Sequence, residues 1–217
     1  MARIVDYIVY LLARLLYRVR GHDAKFLLKS PAFKAITGQN MTLEAPECGP
    51  SGSSLPLQYS AAAKDGNGIF PDLRWTPPST GAGQVKEQVL LCEDPDPPIP
   101  GLLIDHGIFY AIPPDVHNAR NDDITPKESS DATDAGTEHV TQAGWKYIPT
   151  MRGTSWIPAG APLGHGPHRY VFTVIALNEK LDFDGPEVNK EKLKEAIHGK
   201  VLGWGQWIGI FERPWPE

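Results

Sequence analysis

Three short segments hold the side chains of this sequence that could do chemistry. Residues 94–98 (DPDPP) follow the apolar run 89–92, and His106 opens another apolar run. Residues 164–170 (GHGPHRY) lead into the apolar run 171–177. Each segment lies at the end of a predicted core strand, where a rigid scaffold can direct its side chains into one pocket. Two carboxylates, two or three imidazoles and a phenol suit a small anionic ligand better than a long polymer.

The two carboxylates are expected to diverge. Asp94 and Asp96 alternate with prolines, whose fixed φ stiffens the turn, so that one carboxylate can face the pocket while the other braces the scaffold. Asp94 would then hold an imidazole in one tautomer and raise its pKa. Protonated His106 or His168 would supply positive charge. The site is therefore predicted to bind anions more tightly at mildly acidic pH.

Neighbouring residues have other predicted roles. Arg169 follows His168 on a strand, so its side chain points to the opposite face, where a salt bridge to Asp96 is expected. For His165, in the Gly-rich loop, an exposed position and a ligand contact are both open. The histidines and Asp94 are metal-ligand types, but their spacing is not specific for a metal, and none is predicted.

These motifs resemble the two signature regions of the phosphatidylethanolamine-binding protein family, which includes Raf kinase inhibitor proteins and plant flowering regulators. The resemblance rests on DPDPP, DHGIFYAIP and GHGPHRYVF, and it extends through residues 30–33 (SPAF), 68–75 (GIFPDLRW) and 199–213 (GKVLGWGQWIGIFER). It is closest to the fungal branch, which pairs an N-terminal helix with a tryptophan-rich C-terminal strand. The resemblance implies a mainly β fold: an antiparallel β-sandwich of the Greek-key type with a few peripheral helices.

The resemblance also implies a ligand site. It places Asp94, His106, His168 and Tyr170 around a phosphate-like anion, with residues 161–164 as part of the wall. The sequence departs from the family pattern where Ala161 precedes a proline, in place of a second proline, and where Ile104 replaces a frequent tryptophan. A more aliphatic rim is expected. The predicted ligand-binding residues are Asp94, Asp96, His106, Pro162, Gly164, His168 and Tyr170.

Three functions are compatible with these residues. The first is a binding module for phosphate, phosphoethanolamine headgroups or carboxylates that regulates a partner protein. The second is a cofactor-free enzyme in which Asp94 and His106 or His168 act as base and acid. The resemblance to the fungal branch connects this second function with secondary metabolism, including the dimerisation of maleic anhydride monomers into maleidride-type products, a cyclase or dimerising lyase activity. The third is a peripheral membrane protein that binds lipid headgroups.

Hydrolase and kinase activities lack their sequence signatures. The chain has no Gly-x-Ser-x-Gly elbow and no phosphate-binding Gly-Lys loop, and neither cysteine has an activating setting. Proton transfer needs only a base, an acid and an oxyanion donor in a closed pocket. The same residues would serve binding equally well, so the sequence does not separate the first two functions. No cofactor is predicted.

Composition sets further limits. A chain of 217 residues with 41% hydrophobic content fits one domain with one core. Its net charge of −5 and its lack of a basic cluster argue against nucleic acid as a partner. The two cysteines lie in unlike settings, a Pro/Gly-rich loop and an apolar strand, so no disulfide is expected. A reducing, cytoplasmic location is predicted.

The first twenty residues form a predicted amphipathic helix, which precedes a single domain of residues 21–217. At 100° per residue, the aliphatic side chains collect on one half and the arginines and tyrosines on the other. The longest charge-free run, residues 7–13, is too short to cross a bilayer. The stripe is expected to pack on the domain; contact with a membrane surface and a role as transit peptide are the alternatives. The stripe comprises Ile4, Ile8, Leu11, Leu12, Leu15, Leu16 and Val19.

The remaining chain is predicted to form short strands separated by turns. The strand at 169–178 has two apolar faces and is therefore predicted to be central. Asn189 is a predicted N-cap for a helix over 190–198 that stops at Gly199. The polar stretch 113–144 is a predicted surface loop or a lid over the pocket. Strands are predicted over 41–44, 55–62, 73–75, 85–93, 107–112, 169–178 and 200–212.

Overall fold

A computed structural model describes residues 2–36, 38–64, 66–127, 139–183 and 187–215 of the chain. Its α-helices and strands are α1 (Ala2–Leu15), β1 (Leu43–Glu44), β2 (Leu73–Trp75), β3 (Glu87–Asp94), β4 (Ile104–Ile112), β5 (Asn118–Ala119), α2 (Asn121–Ile124), β6 (Lys146–Ile148), β7 (His168–Leu177), α3 (Lys190–Ala196) and β8 (Val201–Phe211). Short 3₁₀ turns are present at Asp23–Lys25, Leu27–Lys29, Pro31–Phe33, Leu57–Tyr59 and Ala82–Gln84.

The strands form two antiparallel sheets, as the resemblance implied. The larger sheet has the order β6-β4-β3-β7-β8, and the smaller one has the order β1-β2-β5. One face of the larger sheet shares a core with the smaller sheet, and this core includes Phe172 and Trp207 of the larger sheet and Leu73 and Trp75 of the smaller one. Its other face is covered by the 27–33 turns and by α3. The predicted central position of β7 is therefore confirmed, because both of its faces are buried.

Glycines in β8 allow a segment of chain to cross this strand closely. A Cβ built on Gly205 would lie 2.6 Å from the carbonyl oxygen of Met41, far inside van der Waals contact. The alternation of glycine with larger residues in the C-terminal motif thus serves packing, with Trp207 buried on the inner face.

Several sequence predictions of secondary structure are confirmed. Asn189 caps α3, since its side-chain oxygen accepts a hydrogen bond from the Lys192 N–H at 3.0 Å. Gly199 has a φ of +77°, as a helix-ending glycine should. The predicted strand over 55–62 is wrong: residues 57–59 form a 3₁₀ turn that follows Pro56, whose ring removes a backbone donor.

The polar stretch 113–144 contributes a small strand and a short helix, β5 and α2. Ala119 and Ile124 are buried, so this stretch is anchored to the core. Residues 128–138, within the predicted lid, lie outside the described residues. Cys48 and Cys92 are both buried and free.

Candidate functional site

Three adjacent strands bring the predicted acid–base residues together. Asp94 ends β3, His106 lies near the start of β4, and His168 begins β7. Because β3 is antiparallel to both neighbours, its last residue meets the first residues of β4 and β7 at one end of the sheet. A register shift between Cys92 and Glu93 lies next to the site. All three side chains are nearly fully buried.

A cavity of about 110 Å³ opens at this end of the sheet. Its floor is polar, its walls are formed by prolines and aliphatic side chains, and an arginine lies at its exposed rim. The lining residues are Asp94, Pro97, Pro98, Ile104, His106, Met151, Arg152, Ile157, Pro158, Gly160, Pro162 and His168.

The geometry fixes the orientation of the Asp94 carboxylate. Its Oδ2 accepts a hydrogen bond from His168 Nδ1 at 2.8 Å, and its Oδ1 accepts one from the Asp96 backbone N–H at 2.8 Å. The second bond closes the Asp-Pro-Asp turn on itself. The same Oδ2 lies 4.0 Å from His106 Nε2.

His106 has one engaged ring nitrogen and one unengaged ring nitrogen. Its Nδ1 is 2.7 Å from the Ile157 carbonyl oxygen, which can only accept, so Nδ1 carries the hydrogen. In the neutral ring Nε2 then carries a lone pair and no hydrogen, so it can only accept a hydrogen bond. This buried atom has no hydrogen-bond partner among the described residues. Burial lowers the pKa of His106, and the nearby Asp94 carboxylate offsets only part of this effect. His106 is therefore a neutral base that faces a polar cavity.

His168 is the middle of a hydrogen-bonded chain. Its Nδ1 bonds Asp94, and its Nε2 lies 2.8 Å from His165 Nδ1. His165 Nε2 in turn lies 3.0 Å from the Leu16 carbonyl oxygen, just after α1. Burial lowers the pKa of His165.

Both ends of this chain are acceptors, the Asp94 carboxylate and the Leu16 carbonyl. Because both nitrogens of His168 are engaged within the protein, its role in this geometry is to hold Asp94.

Of the other predicted ligand-binding residues, only some lie at the cavity. Pro162 lines it. The Tyr170 hydroxyl accepts a hydrogen bond from the backbone N–H of Gly160, a wall residue, at 2.8 Å, and its ring packs edge-on against His106 with centroids 5.0 Å apart. Gly164 contacts the Tyr10 ring of α1 instead of the cavity.

Asp96 forms the predicted internal salt bridge, which is confirmed. Arg169 donates from Nε and from Nη2 to its two carboxylate oxygens, both at 2.8 Å. Burial alone would raise the pKa of Asp96, but the hydrogen bonds from Arg169 outweigh it and hold that pKa below its usual value. Arg169 also binds Asp23.

The sequence interpretation missed the loop that closes the cavity. Ile157 supplies both the carbonyl that orients His106 and an N–H that donates to the His106 carbonyl at 2.8 Å. Met151 and Arg152 form the exposed rim. This loop approaches His106 because Gly107 has no side chain: a Cβ there would lie 3.1 Å from the Ser155 carbonyl oxygen. The only sequence signal was the glycine that follows His106.

A larger groove of about 500 Å³ lies between the 24–31 segment and α3. Its largely buried cation, Lys190, is engaged with Glu93 at 2.7 Å and with Asp105. These buried charges of the groove are paired with each other, whereas the cavity at His106 holds a buried ring nitrogen without a partner among the described residues, so that cavity is the stronger functional candidate. Within the described ranges, no cluster of three or more His, Cys, Asp or Glu side chains could hold a metal ion.

Comparison with known sequences identifies the family. The profile of the family described as Phosphatidylethanolamine-binding protein matches residues 47–212. The chain belongs to the phosphatidylethanolamine-binding protein family. Residues 94–106 and 162–170, which carry the cavity chemistry, lie inside the matched region, whereas α1 lies outside it.

Two relatives that this chain matches over most of its length are fungal. The chain is 37% identical over 217 residues, 99% of both chains, to "Phomoidride biosynthesis cluster protein B" of Fungal sp. (strain ATCC 74256). It is 37% identical over 206 residues, 94% of this chain and 80% of the relative, to the protein of the same name from Talaromyces stipitatus.

Solved structures agree with this family assignment. A putative phosphatidylethanolamine-binding protein homologue from Chlamydia trachomatis has a TM-score of 0.55 and 25% identity, over 81% of this chain and 99% of that one. YbcL of Escherichia coli, at 19% identity and a TM-score of 0.58 over 80% and 98% of the two chains, supports the fold alone.

Proposed function

We propose that the cavity binds a small carboxylate-bearing metabolite of a fungal biosynthetic pathway and removes a proton from it, without a cofactor. The observation that carries this proposal is His106 Nε2, a buried basic nitrogen that faces the cavity and has no partner among the described residues. The names of the two fungal relatives, which place them in a biosynthesis cluster, support the pathway.

The chemistry of Nε2 limits the ligand. A fully ionised phosphate or carboxylate only accepts hydrogen bonds and would leave this lone pair unsatisfied, at a cost of about 1–3 kcal/mol. A carbon acid next to a carboxylate or anhydride group offers a proton instead. The reacting end of such a molecule would lie in the cavity of about 110 Å³.

Each cavity residue then has a role. His106 takes the proton, and the imidazolium so formed lies 4.0 Å from the Asp94 carboxylate, which stabilises it. The electron pair from the broken C–H bond delocalises onto the carboxylate or anhydride oxygens of the ligand. Arg152 at the rim is placed to bind a carboxylate of the ligand. His168 keeps Asp94 oriented.

The arrangement of hydrogen-bond acceptors inside the cavity and a cation at its rim also favours a second candidate function. The zwitterion of phosphoethanolamine carries an ammonium group that could donate to His106 Nε2 and Asp94, while its phosphate meets Arg152. This ligand would be bound and not transformed.

Solvent deuterium exchange separates the two functions. Citraconic acid, a methyl-substituted maleic acid, is incubated with the protein in D₂O, and NMR follows exchange of its methyl protons. Wild-type protein is expected to catalyse this exchange, and His106→Asn to slow it about 100-fold or more. Asn can still donate to the Ile157 carbonyl but lacks the base. Equal exchange by both proteins would reject His106 as the base.

Calorimetric titration with O-phosphoethanolamine and inorganic phosphate completes the test. Binding of O-phosphoethanolamine without any exchange of citraconic acid would support the second candidate. The matched control is Leu57→Asn, a change at an exposed position outside the cavity, which should preserve both exchange and binding.

A further inference from the structure

Among the described residues, one side of helix α1 makes the contacts with the domain. The Tyr10 ring lies against Gly164, where a Cβ would be 2.2 Å from the ring, and it packs at a tilt against Trp215 with centroids 4.8 Å apart. Ala13 on the same side is 4% exposed. After the helix, Arg20 donates to the backbone carbonyls of the 165–167 loop. These contacts hold α1 with a defined side towards solvent.

The side that faces solvent is the apolar one. The expectation that the aliphatic stripe packs on the domain is wrong for most of its members, because Tyr10 and Ala13, on the opposite side, make the contact. Leu15 is 79% exposed and Ile4 is 67% exposed. Large exposed apolar patches of this kind mark interaction surfaces. The outward face of α1 comprises Ile4, Val5, Ile8, Leu11, Leu12 and Leu15.

The charge of the first twenty residues indicates which kind of surface binds this face. The first twenty residues contain four arginines and one aspartate, whereas the whole chain has a net charge of −5, so the positive charge is concentrated in this segment. Arg14 and Arg18 are exposed along the helix and the turn that follows it. Exposed Tyr7 and partly exposed Trp215, which are in edge contact, add amphipathic rings of the kind found at membrane–water interfaces.

We propose that the outward face of α1 lies in the surface of an anionic membrane and holds the domain there. Apolar side chains on one face with arginines beside them are typical of interfacial helices. A second copy of the chain would fit less well, because it would bring one positively charged helix against another. No helix among the described residues is long and apolar enough to cross a membrane, and α1 with 14 residues is about 21 Å long, which suits an in-plane position.

Vesicle co-sedimentation tests this proposal with the full chain. Wild-type protein should bind vesicles that mix phosphatidylcholine with phosphatidylserine about tenfold more tightly than vesicles of phosphatidylcholine alone, and added salt should weaken the difference. The variant Ile8→Glu/Leu12→Glu should lose about tenfold or more of the binding. Leu57→Glu is the matched control, since Leu57 is exposed to a similar extent, 59% against 53% for Leu12, in another segment.

Further variants separate binding through the arginines of α1 from binding through the cavity. Arg14→Gln/Arg18→Gln should lower the preference for phosphatidylserine and leave weak binding to phosphatidylcholine. His106→Asn should bind vesicles like wild type, because it alters the cavity and leaves the His165–Leu16 contact beside α1 in place. Thermal unfolding checks that each variant is folded, and light scattering measures its mass in solution.

Three results would overturn the proposal. The first is a failure of the wild-type protein to bind the mixed vesicles. An equal loss in Leu57→Glu would assign the binding to non-specific adsorption, and an equal loss in His106→Asn would assign it to the cavity. A dimer that Ile8→Glu/Leu12→Glu dissociates, without vesicle binding by wild type, would assign the face to a second copy. The exchange assay does not depend on any of these results, so the two proposals fail separately.

Discussion

Acid should destabilise this protein through its buried neutral histidines, beginning near pH 6.5. Burial lowers the pKa of His106 and of His165 below their usual value in the folded protein. Below pH 6.5 the unfolded chain therefore binds more protons at these positions than the folded chain, and the free energy of unfolding falls as the pH falls. The stability contributed by burying neutral imidazoles is complete above pH 6.5 and is lost as the pH falls towards the lowered pKa values.

The size of the effect follows from proton counting. One proton taken up by the unfolded state alone changes the free energy of unfolding by about 1.4 kcal/mol per pH unit. Two such histidines give an upper slope of about 2.7 kcal/mol per pH unit. The raised pKa values of Glu87 and Glu93, which burial causes, act in the opposite direction at the acidic end of this range.

The variant His106→Asn isolates one of the two histidines. Asn retains the hydrogen bond to the Ile157 carbonyl, so the fold should survive, while the titrating group is removed. Urea unfolding of both proteins at several pH values between 5 and 8 should show a slope smaller by up to about 1.4 kcal/mol per pH unit in the variant. The glutamates are common to both proteins and cancel in the difference. Identical slopes would refute the idea that His106 is buried as a neutral base.

Three further changes test the scaffold and the rim. Arg169→Met should lower the free energy of unfolding by about 3 kcal/mol in urea titration, because it leaves the buried Asp96 carboxylate without its cation; a loss below about 1 kcal/mol would contradict this. Gly205→Ala should cost about 1–3 kcal/mol in thermal or urea unfolding, since the new Cβ would meet the Met41 carbonyl oxygen, and unchanged stability would be evidence against this close approach. Arg152→Gln should weaken binding of a dicarboxylate about tenfold in calorimetry with no loss of stability, because this charge-assisted contact lies at the exposed rim; equal affinity would exclude the arginine from ligand binding.

Much of the fold was accessible from local patterns. The two apolar faces of residues 169–178 predicted a central strand, and the structure places β7 between β3 and β8 with both faces buried. Asn189 and Gly199 marked the ends of a helix because caps are local interactions. The strand predicted over 55–62 is wrong because residues 57–59 form a 3₁₀ turn after Pro56, in which Tyr59 is buried and Leu57 is exposed. Periodicity alone does not separate this turn from a strand.

The candidate site was accessible only in part. Motifs at strand ends indicated Asp94, His106 and His168, and the order of the strands brings them together. The sequence did not predict the tautomer of His106 or the position of Arg152 at the rim of the cavity. Both depend on a loop about 50 residues away in sequence, which exchanges two hydrogen bonds with His106 through Ile157. Contacts over such separations leave no local pattern.

By itself, the sequence determined which residues could do chemistry, which strand is central, and that the first helix has an apolar face. Only the tertiary structure decided which way that face points and which ring nitrogen is left as a base. The notch at Gly164 receives the Tyr10 ring and turns the aliphatic side of α1 to solvent, while the Ile157 carbonyl takes the Nδ1 hydrogen of His106. Periodicity describes a helix about its own axis, whereas orientation and tautomer are set by partners elsewhere in the fold.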